Sequence, residues 1–467
     1  MRADAETASL VGMLEAVRRV RVGGYVTSCA GGVIAASGLH GRAAIGDICL
    51  IERGRPENPV PSPLFADEAA ITAEVVGFGD AGTRLVAYEE PQGIVHGARV
   101  ALEAELGTLR PALGWRGRVL DAMGRPIDGG PPLPQEPQAY PIQARGIAAE
   151  KRRGLGPRLE LGVRALDLFT PCCEGQRMGI FAGSGVGKST LLSMITSGSD
   201  ADVLVIGLIG ERGRELHDFL EHTLGAEGRA RSIVVAATSD MPAMLRRRAA
   251  YVTLTVAEQL GDQGLRVLRL IDSVTRFAMA LREIYLAAGE VPTSRGYPPS
   301  VFAELPKLLE RAGPGDGAGS ITGLFAVLVE GDDTNEPISD TVRGILDGHV
   351  VLDRAIAEGG RFPAIDPLRS ISRSAPGCYR PEEWALVREA RRLMRLHADM
   401  AELIRLGAYR SGSNAELDRA IAARPALEAI LEQAVSERAS SAEAFAALAA
   451  ALAAAGRAPT SEGRDQP

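Results

Sequence analysis

The most specific chemical spacing in the chain is Ala182-Gly183-Ser184-Gly185-Val186-Gly187-Lys188-Ser189, with Thr190-Leu191-Leu192 following. An apolar run ends just before it at Phe181, and a helix-like run begins at Thr190. A glycine-rich turn between a strand and a helix presents backbone N–H groups and a helix N-terminus, which together hold phosphate oxygens. Lys188 would reach the β- and γ-phosphates of a nucleotide, and the Ser189 hydroxyl would face Mg²⁺. The strict pattern starts with glycine where this chain has Ala182, a residue small enough to keep the turn. Val267-Leu268-Arg269-Leu270-Ile271-Asp272 reads as a buried strand that delivers one carboxylate at its C-terminal end. Ligands of open α/β sheets sit at that end, and Mg²⁺ prefers few carboxylates and many waters, so Asp272 is a candidate ligand. Glu211 follows another strand, in Gly207-Leu208-Ile209-Gly210-Glu211-Arg212. Taken alone, that segment suits a solvated charged loop as well as it suits a carboxylate that polarises an attacking water.

The elements that must position these residues follow from the pattern. Apolar runs at Arg177–Ala182, Val203–Ile209, Ile233–Ala236, Val267–Ile271 and Gly323–Val329 read as buried strands. Helix-like stretches, such as the one around Met241–Gln259, separate several of them, which predicts crossover units and a largely parallel sheet. From Gly23 to about Gln92, short β-rich runs alternate with Gly, Asp and Pro turns, which predicts a small barrel or sandwich. A Gly/Pro-rich connector, Gly124 to Pro132, comes next. From Pro381 onward the chain is rich in Ala, Leu, Glu and Arg and reads as helices, ending in a polar, frayed tail from Arg457. Leu10, Leu14 and Val17 lie on one face of an N-terminal amphipathic helix, suited to packing at home or to docking a partner.

Composition narrows the class. The chain has 467 residues, which at roughly 150 residues per domain suggests about three domains. A charged fraction of 24% and an apolar fraction of 46% are those of an ordinary globular chain, which excludes collagen, global disorder and a disulfide scaffold. A net charge of −7 argues against a general nucleic-acid binder. The five cysteines show no CxxC spacing and are expected to be free thiols in a reducing compartment. No apolar run is long enough to span a membrane, and charges interrupt any signal-peptide core, so a cytoplasmic location is expected.

Taken together, the chain resembles the ATPases related to the catalytic subunit of the rotary ATP synthase, and within that group the flagellum-specific export ATPases. The segments that carry the resemblance are GQRMGIFAGSGVGKSTLL from Gly175, GLIGERGRE from Gly207, LRLIDSVTRFAMALREI from Leu268, RGYPPSVFAELPKLLERAG from Arg295, EGDDTNEPISDTVRGILDGHVVLDRAIA from Glu330 and FPAIDPLRSISR from Phe362. The resemblance implies a RecA-like P-loop NTPase core of the α/β class, with an N-terminal β-barrel and a C-terminal helical domain. The expected division is a docking helix at 1–22, the barrel at 23–92, a linker plus ATPase domain at 93–375, and helices with a disordered tail at 376–467.

The resemblance also assigns roles. Glu211 matches the catalytic glutamate, Lys188 and Ser189 the phosphate lysine and Mg²⁺ hydroxyl, and Asp272 the Walker B carboxylate. Arg212 and Arg276 match arginines of the nucleotide pocket, and Phe362 matches an aromatic ring beside adenine. Arg373 matches an arginine finger that serves a neighbouring subunit's site, which implies a homohexamer. ATP and Mg²⁺ are the implied cofactors. The implied partners are a regulatory stator-like protein at the N-terminal helix, export chaperones and their substrates, and a membrane export gate at the inner face of the membrane. A silent ring subunit would carry Gln in place of Glu211, and an RNA-translocating helicase would need basic and aromatic surfaces that 20 aromatic residues and the net charge do not supply. The ATPase of a virulence-type injectisome shares the core and is the alternative to flagellar export.

Overall fold

The computed structural model describes residues 22–30, 32–54, 70–103, 107–144, 146–315, 317–329 and 336–456. The expected N-terminal helix, Val22 apart, and the tail from Arg457 lie outside the described residues. The chain divides into two compact units.

The first unit holds a closed six-stranded barrel. Its strands are β1 (Gly23–Ala30), β2 (Val33–Ser37), β3 (Ile48–Glu52), β4 (Ala70–Gly79), β5 (Gly82–Ala87) and β6 (Arg99–Leu102), arranged β1-β2-β5-β4-β3-β6. The barrel closes where Gly23, Gly24 and Tyr25 pair antiparallel with Ala101, Val100 and Arg99. The closing strand therefore lies beyond residue 92, past the point where the β-rich texture fades. Alternation along the strands sends Ile34, Ile51, Ile71, Val75, Leu85 and Val100 into one apolar core.

The second unit is built on a nine-stranded sheet. Its strands include β7 (Val119–Leu120), β8 (Arg177–Ala182), β9 (Val203–Ile209), β10 (Ser232–Ala237), β11 (Arg266–Asp272), β12 (Ser320–Leu328), β13 (Gly348–Val351) and β14 (Ile371–Ser372), in the order β14-β13-β8-β12-β11-β9-β10-β7. Every pairing along this path is parallel except the last, β13 with β14. All seven residues of β9 are buried, as a parallel strand covered on both faces requires. The helix expected around Met241–Gln259 is Ala243–Asp262. The short strands β7, β13 and β14 carry too few residues for a periodic signal, and only the sheet reveals them.

Three C-terminal helices belong to this same unit: α2 (Pro381–Arg405), α3 (Ala415–Leu431) and α4 (Ser441–Gly456), labelled to follow α1 (Lys188–Gly198). Val387, Ala390 and Met394 on α2, Leu417 and Leu427 on α3, and Leu448 on α4 join one apolar core with Leu166 and Phe169. Gln433 stitches the junction, accepting the Arg164 N–H at 2.8 Å and donating to the Gly162 carbonyl at 2.8 Å. No helix among the described residues is long and apolar enough to cross a membrane.

One expectation from the sequence is corrected. Cys173 and Cys378 are joined in a disulfide across a separation of 205 residues. Cys29, Cys49 and Cys172 are free. Spacing along the chain carries no trace of a pairing that packing alone creates.

Candidate active site

β8 ends at Ala182 and α1 begins at Lys188, so the loop between them sits at the C-terminal edge of the sheet. Gly185 and Gly187 take φ values of 76° and 95°, a left-handed backbone that a residue with a Cβ adopts only at a cost. A Cβ on Gly187 would also stand 3.6 Å from the Phe362 ring. Val186 differs from its neighbours in the loop: its side chain is buried in the core and anchors the loop from below.

The loop opens on a cleft of about 790 Å³. Gly183, Ser184, Gly185, Gly187, Lys188, Ser189 and Thr190 line one side, and Glu211, Arg212, Asp272 and Arg276 line another. β9 and β11 are neighbours in the sheet, with Leu208 opposite Asp272, and this register brings the Glu211 loop beside the end of β11. Lys188 Nζ forms an ion pair with Asp272 and stands 3.4 Å from Glu211 Oε1. All three side chains are largely buried, at 12%, 5% and 13% exposure for Lys188, Asp272 and Glu211.

Burial sets the electrostatics. It opposes the charge on Lys188, but Asp272 and then Glu211 outweigh it, and the lysine holds its proton more tightly than usual. Burial pushes the Glu211 carboxyl up to about 7; Lys188 opposes the rise, and Asp272 together with a hydrogen bond to Glu215 adds to it. The same bond holds the Glu215 carboxyl below its ordinary range.

The remaining candidates occupy different surroundings. Arg212 is 74% exposed and stands 3.9 Å from Glu215. Arg276 packs against Gly210, where an added Cβ would meet it at 2.8 Å. Phe362 is 41% exposed beside the phosphate loop. Arg373 follows β14, donates its backbone N–H to the Asp347 carbonyl at 2.9 Å, and is exposed and outside the lining of this cleft.

Among the lining residues that the sequence reading did not assign, Glu215 and Arg354 carry polar contacts to the site. Glu215 lies four residues after Glu211 in the chain, a spacing that could have flagged it. Arg354 lies far along the chain and donates to the Ser184 carbonyl at 3.2 Å, with no local signal to reveal it.

Ser189 and Asp272 offer hard oxygen donors, the type Mg²⁺ takes. Among the described residues no group of three or more His, Cys, Asp or Glu is arranged to hold a metal by itself. That donor set fits an ion that arrives on phosphates and keeps most of its waters.

Comparison with known proteins bears on this cleft. Residues 162–372 match the ATP synthase alpha/beta family, nucleotide-binding domain, and residues 379–450 match the T3SS EscN ATPase C-terminal domain. A flagellum-specific ATP synthase of Caulobacter vibrioides is 51% identical over 91% of this chain and 94% of its own length. One from Salmonella typhimurium is 45% identical over 91% of this chain and 92% of its own length. Among solved structures, the assembled ATPase EscN from the enteropathogenic E. coli type III secretion system superposes with a TM-score of 0.83 at 38% identity, over 92% of this chain and 100% of that one. Identity at this level across almost the whole length means that the chain belongs to the family of the rotary ATP synthase α/β subunits, flagellum-specific ATP synthases and type III secretion ATPases, and that it is an ATPase.

Proposed function

We propose that the protein hydrolyses MgATP at sites between identical subunits of a hexameric ring and so energises flagellar type III protein export. The observation that carries the ring is Arg373. It is exposed and stands outside its own chain's nucleotide cleft, so an Arg373 guanidinium that reaches such a cleft does so in another copy. The similarity to an assembled EscN supports the same reading.

The residues act as follows. The N–H groups of Gly183 to Ser189 and the α1 N-terminus bind the phosphates. Lys188 exchanges Asp272 and Glu211 for β- and γ-phosphate oxygens. That exchange frees Asp272, which with Ser189 would hold Mg²⁺, and the ion supplies charge neutralisation across the phosphates. Glu211, released from Lys188, orients a water in line with the γ-phosphorus and takes its proton at a carboxylate oxygen. Arg212 and Arg276 flank the polyphosphate, and Phe362 covers adenine beside Gly187. Arg373 of the neighbouring copy steadies the charge that spreads over the γ-phosphoryl oxygens, a role worth about 10³–10⁵ in rate.

The flagellar branch rests on relatives named flagellum-specific ATP synthase at 40–51% identity. The EscN match of residues 379–450 favours an injectisome ATPase as the second reading. In the flagellar reading the ring works in the cytoplasm against the export gate. It takes substrates from chaperones and holds a stator-like regulator at residues 1–22, without nucleic acid.

Mixing two inactive variants tests the shared site. Arg373→Ala and Glu211→Gln proteins, assembled together, are expected to regain part of the ATPase activity, because some interfaces then pair an intact Glu211 with an intact Arg373. No recovery in mixed rings shown to form would remove the finger in trans. A motility assay on a strain lacking the gene separates the branches: loss of flagella supports flagellar export, and normal flagella with lost effector secretion supports the injectisome.

A further inference from the structure

Away from the cleft, two cysteines meet at the place where the nucleotide-binding sheet hands over to the C-terminal helices. Cys173 pairs with Arg158 in a short two-stranded ladder and leads into β8, the strand that ends at the phosphate loop. Cys378 ends the turn Ala375–Cys378, between Arg373 and the start of α2. Their Cα atoms are 6.4 Å apart, within the reach of a disulfide.

The same junction is stitched by hydrogen bonds. The Cys173 N–H donates to Gln176 Oε1 at 2.8 Å, and Gln176 Nε2 donates to Ser372 Oγ at 2.9 Å. The Tyr379 hydroxyl donates to the Leu168 carbonyl at 2.6 Å, and Arg158 pairs with Glu383 of α2 at 3.0 Å. Cys172 is no competitor for the pairing. It is fully buried, burial raises its proton affinity well above the ordinary thiol, and its Sγ is engaged with the Cys173 carbonyl.

We propose that Cys173 and Cys378 form a reversible redox modification site, whose oxidation by a low-molecular-weight disulfide such as oxidised glutathione clamps the root of the C-terminal helices and slows turnover. Cys378 is the more accessible of the two, at 8% exposure against 3%. Its thiolate attacks one sulfur of the small disulfide, forming a mixed disulfide and releasing one small thiolate. The Cys173 thiolate then attacks the Cys378 sulfur and expels the second small thiolate. One S–S bond is exchanged for another, and the two protons of the protein thiols end on the two small thiols. A dithiol reductant runs the exchange backwards.

The consequence follows from position. Any movement of α2 against the sheet during turnover passes through this junction, and a covalent bond there removes that freedom. Neither cysteine lines the nucleotide cleft, so kcat responds and nucleotide affinity does not.

The test uses the full-length protein poised in oxidised and reduced glutathione, with free thiols alkylated and peptides mapped by mass spectrometry. The expected result is a cross-linked peptide pair containing Cys173 and Cys378, a several-fold lower kcat with KM unchanged, and full recovery in dithiothreitol. Cys378→Ser abolishes the response, and Cys173→Ala makes the same comparison should the first variant not fold. Cys29→Ser, which removes the exposed free thiol, keeps it. Failure of the cross-link to form at any poise overturns the proposal, as does equal turnover in the two forms or a response lost in Cys29→Ser.

Discussion

Glu211 shares its cleft with Lys188, Asp272 and Glu215, and a pH profile reads the balance among them. With its carboxyl pushed up to about 7, Glu211 is ionised in the free protein only above that pH. A general base works ionised, and kcat/KM reports the free enzyme, so kcat/KM should rise with pH through about 7 and then level off. Glu215→Gln removes a negative charge and a hydrogen bond that both raise this value, so the midpoint should move to lower pH. Phosphate release followed across the pH range in both proteins measures the shift; an unchanged midpoint would detach Glu215 from the base. Glu211→Gln should keep nucleotide binding and lower kcat by about 10²–10⁴. Lys188→Ala should lose nucleotide binding itself, as equilibrium titration with a fluorescent nucleotide would show. The lysine's buried ion pair with Asp272 explains the difference: one change removes a proton acceptor, the other removes the positive charge that faces the phosphates.

At the scale of the element, β11 carries both the site's carboxylate and an expense unrelated to it. Arg269 lies in the middle of this strand, between Val205 on β9 and Gly323 on β12, and is 0% exposed. Its three guanidinium nitrogens have no hydrogen-bond partner among the described residues, and the group rests 5.0 Å over the Phe325 ring. Burial pushes its pKa down to about 9. Arg269→Leu should therefore raise the thermal midpoint, with a gain of about 1–3 kcal/mol from removing an unsatisfied buried donor set. The sign with pH is fixed as well. A base whose folded pKa is depressed binds fewer protons folded than unfolded, so the wild-type deficit should shrink as pH rises above about 9. Thermal unfolding of both proteins at neutral and alkaline pH tests both statements.

For the whole molecule, the two units have different degrees of independence. The barrel has an apolar core of its own, whereas the C-terminal helices share one with the nucleotide-binding sheet. A chain ending at Ser374 should therefore expose Leu166 and Phe169 and unfold at a lower temperature or aggregate, as circular dichroism on heating would show. The same contrast separates what was readable early from what was not. The phosphate loop with Lys188 and Ser189 was legible because a strand, a turn and a helix contiguous in the chain write their own spacing, and Asp272 because it ends an apolar strand run. The parallel sheet was legible from runs such as Val203–Ile209, in which every residue is apolar or glycine because both faces are covered. The strands Val119–Leu120 and Ile371–Ser372 were not, because a two-residue strand has no period. Sequence by itself thus determined the longer elements and where along them Lys188, Ser189, Glu211 and Asp272 stand. Tertiary structure alone decided that Arg354 reaches Ser184, that Arg373 stands outside its own cleft and that Cys173 meets Cys378. Sheet order and core packing set these relations, since they bring together residues between which the chain carries no periodic signal.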